Sequence, residues 1–118
     1  PITSYFGPRY HPLFSTSRFH SGLDIGAASG SQIHAVDSGV VISSGWYGGY
    51  GKAVIIDHGG GMATLYGHTS AYYVAPGARI QKGQVIAAVG STGWSTGPHL
   101  HLEVRKNGVP IDPLPYFK

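Results

Sequence analysis

Turn chemistry interrupts this 118-residue chain at short intervals, and no other feature of the sequence narrows its possible folds as much. Nineteen glycines and eight prolines are spread along its length, so its elements must be short and joined by tight turns. No window of about 12 residues or more carries a 3.6-residue apolar period between helix caps. Short runs of strand-forming residues do occur, at 32–36, 39–44, 53–57, 62–66, 85–89 and 99–105. Asp57-His58-Gly59-Gly60-Gly61 links two of them, and Lys106-Asn107-Gly108 carries the Asn-Gly pair of a tight hairpin turn. Residues 1–19 are rich in turn formers and aromatics (Tyr5, Phe6, Gly7, Pro8, Tyr10, Pro12, Phe14, Phe19) and read as an ordered loop. The expected fold is all-β: antiparallel sheets in two layers or a partly open barrel, with long loops around a central groove.

The length fits one domain over residues 1–118 and leaves no room for a second core. The chain opens at Pro1 rather than Met, which suggests a piece processed or excised from a longer protein, so a missing leader carries no weight. Eight Lys and Arg against five Asp and Glu give a net charge of +3. That mild excess favours an anionic polymer as partner, but without a basic run it argues against nucleic acid. The longest apolar stretch is far short of a membrane span. With no cysteine, disulfides are excluded and the redox compartment stays open.

Three histidine groups carry the chemistry: His20-Ser21-Gly22-Leu23-Asp24, Tyr66-Gly67-His68 and His99-Leu100-His101-Leu102-Glu103. In a strand, residues two apart share a face, so His99, His101 and Glu103 line one side. Leu100, Leu102 and Val104 line the other, which suits a core. His20 and Asp24 stand at a strand end and bend, where Gly22 lets the chain turn sharply and bring both side chains to one point. His68 ends the 62–66 run and shares a face with Tyr66 if that strand continues. A catalytic zinc takes three protein ligands and keeps a fourth position for water. His20, Asp24 and one of His99 and His101 would supply that set, leaving two histidines for proton transfer or oxyanion stabilisation. The His-Glu-x-x-His helix of many metalloproteases is absent, so a histidine must act as base unless Glu103 does.

At these residues the chain resembles the lysostaphin-type (LytM-like) family of zinc endopeptidases. The matching segments are Arg18-Phe19-His20-Ser21-Gly22-Leu23-Asp24-Ile25, Thr64-Leu65-Tyr66-Gly67-His68 and Gly93-Trp94-Ser95-Thr96-Gly97-Pro98-His99-Leu100-His101-Leu102-Glu103-Val104. The resemblance implies that His20, Asp24 and His101 bind one Zn2+ per chain, and that His68 and His99 are the catalytic pair that does not ligate it. It implies an endopeptidase acting on peptide bonds of bacterial peptidoglycan, in stem-peptide cross-links or cross-bridges. The substrate in turn implies an extracellular, periplasmic or cell-wall location. A looser likeness joins the chain to the D-Ala-D-Ala metallopeptidases.

The rival reading is a catalytically silent cell-wall binding or regulatory module of the same fold, which should have lost ligands; all five residues are present. Residues 74–86 resemble the half-barrel repeats of lipoyl and biotinyl carriers, but the modified-lysine hairpin has no equivalent, so only turn architecture is shared. His11, His34 and His58 read as structural. Glu103 is a candidate hydrogen-bond partner of His101, sharing its face of the strand. Arg9 and Arg18 suit either substrate contact or ion pairing. Ser95 and Thr96 suit hydroxyl bonds that organise the loop before His99. Trp46, Tyr47, Tyr50, Tyr72, Tyr73 and Trp94, in or beside glycine-containing loops, are candidate groove walls, and the loops at 45–52 and 70–78 carry no readable specificity code.

Overall fold

The computed structural model describes the backbone of residues 2–11 and 16–116 and the side chains of residues 2–7 and 20–115. Twelve strands run in chain order through them: β1 (Ile2–Ser4), β2 (Gly7–His11), β3 (Thr16–His20), β4 (Leu23–Gly26), β5 (Gln32–His34), β6 (Gly39–Trp46), β7 (Lys52–Gly59), β8 (Met62–Tyr72), β9 (Arg79–Ile80), β10 (Val85–Val89), β11 (His99–Lys106) and β12 (Val109–Ile111). Two single 3-10 turns, Gly48–Tyr50 and Leu114–Tyr116, are the helical structure among the described residues. No helix there is long and apolar enough to cross a membrane.

The fold is all-β, and the sheet does not close. Its backbone is the antiparallel order β1-β4-β11-β8-β7-β6-β9, with β12 added beside β11. The second layer starts where β8 outruns β11: Thr69, Ala71 and Tyr72 pair with β10, which pairs in turn with β5. One 11-residue strand therefore serves both layers, and the core fills the angle between them. Val41, Val54, Ile56, Tyr66, Ile80 and Leu102 from the long sheet meet Ile33, Ile86, Ala87 and Val89 there.

The expected strands all form, with β10 at its expected bounds. Asn107 and Gly108, both at positive φ, make the hairpin between β11 and β12. The expectation of a loop over residues 1–19 is overturned. β1 pairs with β4, and β2 pairs with β3 from Gly7↔His20 to His11↔Thr16. The dense turn formers there punctuate a hairpin rather than prevent one. The side chains of Arg9, His11 and Arg18 lie outside the described residues.

The chain bends at Gly22, as expected, and a close approach also demands glycine there. Its backbone is not left-handed; the link from β3 to β4 instead passes so close to β11 that a Cβ would stand 2.3 Å from the Leu102 carbonyl oxygen and 3.0 Å from Glu103 Cγ. Relief requires the backbones to part, because a carbonyl in a paired strand cannot rotate away. Gly22→Ala should therefore cost about 1–3 kcal/mol by forced overpacking. Urea unfolding checks this, and an unchanged midpoint would contradict the close packing described.

Candidate metal and catalytic centre

β11 lies between β4 and β8, and its register builds the site. His101 stands opposite Asp24 on one side and Gly67 on the other, and His99 stands opposite Gly26. Directly opposed residues of an antiparallel pair share a face, so Asp24, His99 and His101 stand together. Leu102 and Val104 are buried on the reverse face and Leu100 packs against the core, as the alternation predicts. His20, the last residue of β3, reaches back until its Nε2 is 3.2 Å from Asp24 Oδ1.

His68 arrives by another route. Val54 pairs with Tyr66 and Lys52 pairs with Thr69, so two steps along β7 span three along β8. The extra residue is a bulge, and His68 within it takes a φ of 60°, an uncommon value for a residue with a side chain. The strand does continue past Tyr66, but the bulge reverses the alternation. Tyr66 stays in the core, its hydroxyl accepting from the Val36 N–H at 3.1 Å. The His68 ring turns to the site, 4.9 Å from the His99 ring and 5.9 Å from that of His101. Such a backbone costs about 1–2 kcal/mol in a residue with a Cβ, and packing around it must hold it in place.

In each of the four rings, one nitrogen is held from outside while the other faces inward. Nδ1 of His20 donates to the Tyr5 carbonyl (2.8 Å), Nδ1 of His68 to the Thr92 carbonyl (2.7 Å) and Nδ1 of His99 to the Gly97 carbonyl (2.9 Å). Their Nε2 atoms are thereby left as the lone-pair nitrogens. His101 is inverted: Nε2 stands 2.9 Å from Glu103 Oε2, and Nδ1 stands 2.9 Å from Asp24 Oδ1. Carbonyl and carboxylate acceptors thus select the tautomer that a ligand or a base needs. Ser95 also reaches His99 Nδ1 (3.2 Å) and donates to the Gly97 carbonyl (2.7 Å), which bears out its loop-organising role.

The carboxylate behind His101 is wholly buried, with Glu103 0% exposed. Burying an isolated carboxylate costs several kcal/mol, so its partners must offset that loss. Ser21 Oγ donates at 2.6 Å, Arg105 Nε at 2.8 Å, and the Tyr50 hydroxyl donates as well. Burial alone would raise the Glu103 pKa, but its bonds to His101, Ser21, Tyr50 and Arg105 bring it down to about 2. Burial likewise opposes ionisation of Asp24, and the hydrogen bond from His101 with the nearby His20 and His99 outweighs it, holding that carboxyl below its ordinary range. Burial disfavours the charged form of His101, yet its two carboxylate neighbours raise its pKa. The space between the carboxylates favours positive charge. Burial, the largest influence on His68, keeps its pKa low and so keeps the ring a neutral base.

One donor atom from each of His20, Asp24 and His101 lies within 4.8 Å of the others. Two imidazole nitrogens, a carboxylate oxygen and an open approach suit a catalytic Zn2+ by donor type and number. His34 and His58 stand apart: His34 Nδ1 donates to the Gly83 carbonyl, and His58 bridges the Ser38 carbonyl and Thr64 Oγ1. Among the candidate groove walls, Trp46, Tyr47, Tyr72, Tyr73 and Trp94 are exposed, whereas Tyr50 turns inward to Glu103. The sequence holds no signal for the Thr92 carbonyl or the Tyr50 hydroxyl as partners, because both belong to glycine-flanked loops without periodicity.

Glu103, at about 2 in the fold against an ordinary 4.5, adds stability that is complete above about pH 4.5 and is lost as pH falls toward 2. His101, with its pKa raised above 6.5, adds stability that is complete below that value and is lost as pH rises through the elevated one. In chelator-treated protein, Glu103→Gln should therefore flatten the loss of stability between pH 4.5 and 2.5. Denaturant unfolding across that range measures it, and an equally steep loss in the variant would contradict the assignment.

Comparison with known proteins identifies the family. Residues 18–113 match the family described as Peptidase family M23. The DD-carboxypeptidase/endopeptidase Mpg of Neisseria meningitidis serogroup B is 50% identical over 113 residues, covering 96% of this chain and 26% of the relative. The murein hydrolase activator EnvC of Escherichia coli is 39% identical over 96 residues, covering 81% of this chain and 23% of the relative. The crystal structure of a zinc-containing peptidase from Vibrio cholerae superimposes with a TM-score of 0.89 at 35% identity, covering 95% of this chain and 35% of that one. The chain spans about a quarter of the length of these curated relatives. The family expected from the three motifs is thus found, and this chain belongs to peptidase family M23.

Proposed function

We propose that this chain is the catalytic domain of a zinc-dependent endopeptidase that hydrolyses peptide bonds in bacterial peptidoglycan. The observation that carries the reading is the convergence of His20, Asp24 and His101 within 4.8 Å, with the inward nitrogens of His68 and His99 beside them. When bound, Zn2+ would supply a Lewis acid and a water acidified to a pKa of about 7. His20 through Nε2, Asp24 through its carboxylate and His101 through Nδ1 would hold that ion. His68, kept neutral by burial, would accept a proton at Nε2. His99, its Nδ1–H held by the Gly97 carbonyl, would keep Nε2 available to carry a proton to the leaving amine or to steady the carbonyl oxygen. The exposed aromatics Trp46, Tyr47, Tyr72, Tyr73 and Trp94 would wall the groove for an extended peptide.

The relatives named as a DD-carboxypeptidase/endopeptidase and as a murein hydrolase activator support peptidoglycan as the substrate, and the mild positive charge suits an anionic wall. A working site outside the cytoplasmic membrane follows from that substrate, whether periplasmic, wall-bound or extracellular. The likeness to an activator favours a second reading, a regulatory module that does not cut. The complete set of His20, Asp24, His68, His99 and His101 weighs against it.

Peptidoglycans of several cross-link types, digested with and without chelator and analysed by mass spectrometry, separate the two readings. Chelator-sensitive release of peptides with new termini is expected; zinc-loaded protein that cuts none of them would favour the silent module. Asp24→Ala should lose both zinc and turnover, and full zinc retention would remove Asp24 from the ligand set. His99→Ala should keep zinc while turnover falls about 10²–10⁴-fold, and an unimpaired rate would end its catalytic role.

A further inference from the structure

We propose that Tyr50 is a positioning residue for His101, acting through Glu103. This rests on reading the site as a zinc peptidase. Tyr50 closes the 3-10 turn Gly48–Tyr50 in the loop between β6 and β7, and that loop lies over the face of the sheet that carries the site. Tyr50 packs directly over Gly67: a Cβ there would stand 3.3 Å from Tyr50 Cδ1 and 3.5 Å from Tyr50 Cβ. Gly67 is the residue opposite His101 on β8, so the tyrosine occupies the gap beside that ring. Its own ring lies against the imidazole, with centroids 5.4 Å apart.

The hydroxyl then reaches past the imidazole to Glu103 Oε2. The same oxygen receives Ser21 Oγ at 2.6 Å and stands 2.9 Å from His101 Nε2. The other oxygen, Oε1, accepts from Arg105 Nε at 2.8 Å. Three donors therefore fix one oxygen against the pull of the guanidinium on the other. Without the tyrosine hydroxyl, the carboxylate is freer to rotate toward Arg105 and away from His101. Nδ1 of His101, the atom facing Asp24, would then lose part of its orientation. The groove loop is joined to the same bond, since Tyr47 stacks on Tyr50 at 5.5 Å between centroids and an interplanar angle of 14°.

Tyr50→Phe keeps the ring and removes only the hydroxyl, so packing against Gly67 and His101 persists. Three variants, Tyr50→Phe, Glu103→Gln and the double, are compared with wild type. Readouts are zinc affinity by competition with a chromogenic chelator, kcat and KM on cross-linked peptides released from peptidoglycan, and thermal unfolding of the metal-free protein. Tyr50→Phe should weaken zinc binding about three- to tenfold and lower kcat with little change in KM. The double variant should be no worse than Glu103→Gln alone, because the hydroxyl acts through that carboxylate. Unchanged zinc affinity in Tyr50→Phe, or effects that add in the double variant, would overturn the proposal. A lowered unfolding midpoint with affinity and kcat intact would do the same, by reducing Tyr50 to a packing residue. Wild-type protein that binds zinc and cuts no peptide would sink the peptidase reading instead, while the zinc comparison still decides the role of Tyr50.

Discussion

The pairing of His101 with Asp24 across the β4–β11 ladder is the contact on which the rest of the site depends. A shift of one residue in that register would turn His99, His101 and Glu103 toward the core and bring Leu100, Leu102 and Val104 out. The apolar face of the same strand opposes such a slip. Leu102 sits against Tyr66 across β8, and both belong to the core that joins the two layers. Burying a leucine contributes about 1.5–3 kcal/mol, so a register error would forfeit several kcal/mol before the site was considered. The hydrophobic effect thereby sets the position of site residues that are themselves polar.

Charge imposes the second constraint. Asp24 and Glu103 flank His101 on opposite sides, and both carboxyls are held ionised despite burial. Ser21, Tyr50 and Arg105 satisfy Glu103, while Asp24 faces three imidazoles. The outer carboxylate is thus satisfied by the protein, and the inner one stands among the imidazoles of His20, His99 and His101. A divalent cation at the inner position would match the negative charge held there. The bulge that turns His68 inward serves the same centre, at a local backbone cost carried by the surrounding sheet.

Much of this was legible in the sequence, and its limits are physical. Period-two alternation over residues 99–105 identified both faces of β11, because a strand between core and cleft must alternate. Gly-rich punctuation marked the β7–β8 and β11–β12 turns. Chain ends of strands were less visible: β8 runs on to Tyr72, since its second half pairs with β10 through contacts distant in sequence. The β2–β3 hairpin was hidden among turn formers for the same reason. The bulge at His68 has no local signal beyond Gly67, and that glycine also lies beneath Tyr50. Motif likeness, rather than spacing, chose His101 over His99 as ligand; the geometry adds that His101 Nδ1 approaches Asp24 to 2.9 Å and His99 Nε2 only to 3.6 Å.

The most direct test of the central claim is a crystal structure of the zinc-loaded protein with anomalous data collected on both sides of the zinc absorption edge. The account predicts one anomalous peak bound by His20 Nε2, a carboxylate oxygen of Asp24 and His101 Nδ1, at about 2.0–2.2 Å, with no fourth protein ligand. A peak held by a different residue set, or a site closed by a fourth side chain, would contradict it.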